Sequence, residues 1–242
     1  MYQQHRNFIS PEDSNAKIWR YFDFTKFVSL LDKEALFFSR ADKLEDSFEG
    51  ALTRLDLEAE KEIREKFNIV NSKNEAWKKY VSINSWHLNN YESVAMWKLY
   101  LKSDEGIAIQ TTFKSFCDSF SKHKDDPVYI GKVKYTDYEN EVIPRGNIFN
   151  PFLNKRKSFE YENELRAIVC KFPPRTDQGL DFEAETIENG LFVKTDLDLL
   201  IHNIYISPYA KEWLIELVTS VTKKYGIKAK ILPSDLNKTP YF

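Results

Sequence analysis

Residues 161–170 read Tyr-Glu-Asn-Glu-Leu-Arg-Ala-Ile-Val-Cys, and this segment limits the fold more than any other in the chain. As a strand it alternates faces, so Glu162, Glu164 and Arg166 share one side with Ile168 and Cys170. The other side carries Asn163, Leu165, Ala167 and Val169. Such a strand is apolar on both faces at one end and charged on one face at the other. It therefore runs from a cleft into a core that is covered on both sides.

The remaining punctuation agrees with a sheet packed against helices. Lys17–Tyr21 and Ala35–Ser39 read as short strands, separated by a helix over 25–32 with Asp23 as N-cap. A charged amphipathic helix is expected over 51–67. A segment starting at Lys78 is expected to begin helical and end as the alternating strand Val81–Trp86. Asn89 and Glu92 have capping-box spacing before a helix over 91–101. Further strands are expected from Gly106 and over 128–135, with a helix near 113–121 between them. Pro144, Gly146 and Pro151 mark 137–157 as a mobile loop that ends in the basic run Lys155-Arg156-Lys157, and Pro173–Gly179 reads as a turn. Strand 204–207, helix 209–225 and strand 227–232 make a βαβ-like unit. The expected fold class is α+β: a mixed, largely antiparallel β-sheet flanked by helices in a single domain. Its boundaries are an N-terminal arm at 1–16 and a domain at 17–242, closed by strand-helix-strand at 200–235.

Composition narrows the function. Of 242 residues, 42% are hydrophobic and 15% aromatic, with 18 Phe, 13 Tyr and 5 Trp, enough for a large core and for planar pocket walls. Lys and Arg number 35 against 37 Asp and Glu. A protein that binds duplexes by neutralising phosphates carries a basic excess, so any nucleic-acid contact is expected to be local. Cys117 and Cys170 lack metal-ligand spacing and imply no disulfide framework. The start of the chain has no apolar signal core, and no segment approaches a membrane span. The expectation is a cytoplasmic protein with no membrane partner. His5, His87, His123 and His202 show no metal spacing, and no metal is expected. Phosphate-loop, dinucleotide and nucleophile-elbow glycine motifs are absent from the sequence.

Four clusters carry chemistry. Trp19-Arg20-Tyr21 offers a planar, permanently charged fork beside aromatics, suited to carboxylate or phosphate, or to a plain ion pair with a nearby acid. Asp46 and Glu49 can share one side of a turn, as a ligand site or as the cap of a helix. Ser93, Met96, Trp97 and Tyr100 line neighbouring faces of a helix, as ligand wall or as core. Glu162 and Glu164 repel on one strand face unless a cation such as Arg166 or Arg20 intervenes, in a site or in a structural salt-bridge network.

Taken in order, these clusters resemble the bacterial domain of unknown function 2971. The resemblance rests on Trp19-Arg20-Tyr21 with Leu36–Ser39, Leu44–Gly50, Met96-Trp97-x-x-Tyr100 with Gly106–Ile109, and Tyr161-Glu162-x-Glu164-x-Arg166. It spans a core of 17–170, to which Ser234 adds, and departs at Glu45 and Ser47. A looser likeness is to the ADP-ribosyltransferase superfamily, whose order of an early basic residue, a later Ser and a late Glu is similar to Arg20, Ser39 and Glu164. That likeness implies NAD as a substrate rather than a resident cofactor. Arg20 would hold its pyrophosphate, Tyr21 or Trp97 would stack on a ring, and Ser39, Tyr100 and Arg166 would complete the ligand site. Glu164 would stabilise the ribosyl cation and Glu162 would position the nucleophile.

Three functions follow. One is an NAD-consuming transferase or hydrolase acting on a small-molecule or nucleotide substrate, in a toxin or phage-defence setting. Another is a metal-dependent nuclease using Asp46, Glu49, Glu162 and Glu164. The last is a non-catalytic module with RNA or protein contact through 145–157.

Overall fold

The computed structural model describes residues 1–67, 75–101, 103–177 and 179–240. Residue 178, inside the expected turn at 173–179, and residues 241–242, at the end of the expected domain, lie outside the described residues. The elements in chain order are β1 (Lys17–Asp23), α1 (Phe24–Lys33), β2 (Ala35–Arg40), α2 (Arg54–Phe67), β3 (Val81–Leu88), α3 (Val94–Tyr100), β4 (Gly106–Thr112) and α4 (Phe113–Ser119). They continue with β5 (Tyr129–Lys132), β6 (Lys134–Thr136), β7 (Asn154–Arg156), β8 (Glu164–Cys170), β9 (Arg175–Thr176), β10 (Gly179–Leu180), β11 (Gly190–Lys194), α5 (Leu197–Leu200), β12 (Asn203–Ile206), α6 (Glu212–Lys224) and β13 (Lys230–Pro233). The fold is α+β, as the sequence predicts.

Nine strands form the main sheet in the order β11-β2-β3-β1-β4-β12-β13, with β8 paired to β3 and β5 to β8. Its pairs are antiparallel except β12 with β13, which flank α6 as the βαβ-like unit predicts. The topology turns on β3. Its residues 81–87 pair with β8 along one edge. The other edge is shared: β2 holds its start, with Ser39 opposite Ile83, and β1 holds its end, with Trp19 opposite His87. Between those two attachments no strand of the described residues pairs with the edge at residues 84–86, and the sheet parts.

Backbone groups stranded by such a parting need other partners. Side chains supply them. Arg20 Nη1 donates to the Ser85 carbonyl at 2.5 Å, and Asn84 Nδ2 donates to the Phe37 carbonyl at 2.8 Å.

The two faces are covered differently. Apolar side chains of α1, α4, α5 and α6, among them Phe27, Leu31, Phe116, Leu200, Leu214 and Val218, pack on Ile18, Trp86, Ile109, Leu165 and Ala167. On the opposite face Ile83, Ile168 and Cys170 meet Phe149, Phe152 and Phe8. Further along, Trp19 and Tyr21 meet Met96 and Trp97. Between those two apolar patches the cross-strand pairs Ser85–Arg166 and His87–Glu164 form a polar strip. The N-terminal segment is docked here as well, with His5 against Phe8, Tyr129 and Phe149 at ring separations of 5.3–5.6 Å.

Three local expectations change. Glu162 lies at the end of a 3-10 turn over 157–162 rather than on the strand, because Asn163 takes a left-handed φ of 38° and re-aims the chain. The expected strand over 128–135 is two strands, β5 and β6. The cap of α3 is Ser93, whose Oγ accepts from the Met96 amide, and not Asn89. Glu92 instead accepts from Trp97 Nε1, Ser234 Oγ and the Asp235 amide, tying α3 to the C-terminal segment.

Candidate active site

The parting of the sheet opens into a cavity of about 280 Å³. Arg20, Tyr21, Ser39, Asp46, Glu49, Tyr100, Glu162, Glu164 and Arg166 all line it, so the four sequence clusters converge on one place. Trp97 does not reach it. That residue is fully buried behind Tyr21, ring to ring at 4.9 Å and nearly perpendicular, with Nε1 on Glu92. Its part is to prop the wall rather than to face a ligand.

The floor is an ion-pair network. Arg166 sits on β8 with all five N–H groups used: Nη1 and Nη2 grip Glu49 at 2.7 and 2.6 Å, Nε and Nη2 grip Glu164 at 3.0 Å each, and Nη1 also meets the Phe152 carbonyl at 2.7 Å. Lys155, on β7, places Nζ 2.6 Å from Glu162, 3.4 Å from Glu164 and 3.6 Å from Glu49. Each of these five side chains is buried. Desolvation alone would raise Glu164, but Arg166 and Lys155 outweigh it and hold the carboxyl down to about 2, so it is a carboxylate at neutral pH. Burial pushes Glu162 up, with Lys155 pulling against it. Desolvation works against the charge on Lys155 and Arg166 too, yet the carboxylates raise both.

Three carboxylates against two cations leave this floor one negative charge. A further cation lining the cavity is Arg20. It makes no ion pair among the described residues, and desolvation lowers it to about 10, against the pull of Tyr100 and Glu164. Among the described residues, no carboxylate takes its remaining N–H donors. Tyr100 is raised by burial and by Glu162 and Glu164, and remains a neutral hydroxyl. Tyr135 OH accepts from the Glu164 amide at 2.8 Å, fixing the start of β8.

His87 also lines the cavity. Asn89 Oδ1 accepts from the Tyr91 amide, which turns Asn89 Nδ2 toward His87 Nε2 at 3.1 Å. The ring therefore accepts at Nε2 and donates from Nδ1 to the Glu162 carbonyl at 2.5 Å. Burial lowers its pKa, which fits this neutral form.

Asp46 and Glu49 cap no helix: α2 begins only at Arg54. Asp46 pairs with Arg156 at 2.8 Å and Glu49 with Arg166. The basic run expected on a mobile loop is thus drawn inward. Lys155 is buried, Arg156 lies over the Phe48 ring at 4.2 Å, and Lys157 alone is exposed, paired with Glu141. Lys155 is the site residue that sequence reasoning missed. Only its neighbours in space distinguish it from the two basic residues that follow.

No family model and no curated protein matches the chain, so the likeness to domain of unknown function 2971 rests on its motifs alone. Solved structures similar to it include DarT of Thermus sp. 2.9 in complex with NAD+, at 7% identity and a TM-score of 0.44 over 95% of this chain and 100% of that one. The same DarT in complex with ADP-ribosylated ssDNA is 8% identical with a TM-score of 0.44, over 96% and 99% of the two chains. Among the described residues no helix is long and apolar enough to cross a membrane.

Proposed function

We propose that the cavity binds NAD+ and that the protein cleaves its nicotinamide–ribose bond, as a transferase of ADP-ribose or as a hydrolase. The observation that carries this reading is the pairing of an uncommitted guanidinium, Arg20, with a carboxylate held ionised, Glu164, in one cavity. A pyrophosphate offers Arg20 the charge-assisted acceptors that no carboxylate among the described residues gives it. Tyr21 and Tyr100 supply flat walls for a ring. As nicotinamide departs, positive charge develops on the ribose, and a fixed carboxylate opposite that charge stabilises the transition state without reorganising. Arg166 and Lys155 fix Glu164 in place and keep it charged.

A metal-dependent nuclease is less well supported. Glu49, Glu162 and Glu164 are already in contact with Arg166 and Lys155, and a metal ion would have to displace those cations.

The test is nicotinamide release from NAD+ by purified protein, alone and with cell lysate, for wild type and Glu164→Gln. Release by wild type and its loss in a folded Glu164→Gln supports the reading. Equal rates, or no release from either, overturn it.

A further inference from the structure

Asp46 stands at the cavity wall with one carboxylate oxygen engaged and the other idle. Oδ1 accepts from Arg156 Nη2 at 2.8 Å and from the Phe48 amide at 3.1 Å. Oδ2 is buried and has no hydrogen-bond partner among the described residues, and the side chain is only 9% exposed. A buried acceptor left unpaired is costly, and such groups call for an explanation. Arg156, whose guanidinium carbon lies 4.2 Å from the Phe48 ring centroid and 5.3 Å from that of Phe159, does not cover it, and its own Nε is buried without a hydrogen-bond partner among the described residues.

Glu164 and Glu49 differ from Asp46. Both oxygens of Glu164 and both of Glu49 already accept from Arg166. Glu162, to which the ADP-ribosyltransferase likeness gives the nucleophile, accepts from Lys155 at Oε2 only. An oxygen saturated with cationic donors holds charge well and takes up a proton poorly, whereas a proton acceptor needs a lone pair that no donor already holds. Two carboxylates set in environments this different divide the work of charge stabilisation and proton transfer.

We propose that Asp46 is the general base for the acceptor, and this role rests on the NAD+ reading above. A neutral O–H or N–H nucleophile hydrogen-bonds to Oδ2 and attacks the anomeric carbon of the nicotinamide ribose. Its lone pair forms the new bond to carbon. The glycosidic C–N bond breaks, its electron pair passes to the ring nitrogen, and neutral nicotinamide leaves. The nucleophile's proton goes to Asp46 Oδ2 and from there to water. Glu164 takes no proton at any stage.

Azide separates this role from a structural one, because it attacks with a lone pair and has no proton to lose. The experiment compares wild type with Asp46→Ala and with Asp46→Asn, which keeps an oxygen for Arg156 and Phe48. NAD+ affinity is measured by calorimetry, and nicotinamide release is followed in buffer, in lysate and with added azide. The expected result is NAD+ affinity like that of wild type, release slowed about 100-fold or more, and recovery with azide. Release at the wild-type rate, or a loss that azide does not restore while NAD+ still binds, overturns the role of Asp46 and leaves the NAD+ reading standing. Wild type that neither binds nor cleaves NAD+ removes both. Should Asp46→Ala fail to fold, the more conservative Asp46→Asn gives the same comparison.

Discussion

Arg20 Nη1 bonds to the Ser85 carbonyl at 2.5 Å across the gap where β1 leaves β3. That one bond satisfies a carbonyl stranded by the parting of the sheet and aims the rest of the guanidinium into the cavity. A hydrogen bond to a charged group contributes roughly 1.5–3 kcal/mol, which is about a tenfold to hundredfold change in Kd. Arg20→Met is therefore expected to weaken NAD+ binding by at least that factor. Arg20→Lys, which keeps the charge and loses the fork, should fall between the two. Isothermal calorimetry measures both, and unchanged affinity in Arg20→Met would remove this guanidinium from the ligand site.

Among the described residues, Arg166 is the one cation that contacts Glu49 and Glu164 with two hydrogen bonds each. Arg166→Met would leave both carboxylates buried, with Lys155 still in contact. Breaking one side of a buried pair costs roughly 3–5 kcal/mol, and a loss of that size is expected in urea denaturation. Adding Glu49→Gln to Arg166→Met should recover part of it, since one buried charge goes with the cation. If the double variant is no more stable than the single one, Glu49 is not the charge that Arg166 compensates.

Local periodicity reports an element's type and its buried face, and both are legible in this chain. The strand at Glu164–Cys170, the helix face of Phe27, Leu30 and Leu31, and the C-terminal strand-helix-strand all follow from spacing. So do the four clusters that meet in the cavity. What spacing does not report is long range. The shared edge of β3 arises because β1 and β2 attach at its two ends, and no local pattern encodes that. Glu162 leaves the strand through one left-handed residue, Asn163. Lys155 sits in a run of three basic residues, and its burial follows from the carboxylates of Glu49, Glu162 and Glu164, which lie elsewhere in the chain. Trp97 and Tyr100 belong to the same helix, and only tertiary packing decides that Trp97 sinks while Tyr100 faces the cavity.

Acid should destabilise the fold in two windows. Burial lowers His87 below its ordinary 6.5 despite the bond to the Glu162 carbonyl, so the unfolded chain takes the proton first and stability falls as pH drops below about 6.5. His123, lowered chiefly by burial as well, acts in the same direction. Glu164 is held near 2 against an ordinary 4.5, so its contribution is complete above about pH 4.5 and is lost as pH falls toward 2. Glu162, raised by burial, works the opposite way, its folded form holding a proton longer than the unfolded chain. Thermal unfolding across pH should show both declines. His87→Gln should flatten the upper one to what His123 leaves, and Glu164→Gln should flatten the lower. A Tm profile unchanged in both variants would mean that neither group is linked to folding in this way.

Gly50 directly follows Glu49 of the ion network, and it has two reasons to be glycine. Its φ is +69°, and a Cβ there would stand 2.4 Å from Phe152 Cε1. The left-handed conformation costs an ordinary residue roughly 1–2 kcal/mol. The clash adds to it, because Phe152 is fully buried and its carbonyl accepts from Arg166. Gly146 separates the two terms: its φ is +91°, and nothing lies within 4 Å of a built Cβ. Gly146→Ala should therefore show the backbone cost alone, and Gly50→Ala that cost and more, with slower nicotinamide release as the displaced ring disturbs Arg166. Chemical denaturation of the two variants gives the comparison. Equal losses would mean that Phe152 yields freely, and that the packing beside Glu49 is softer than its burial implies.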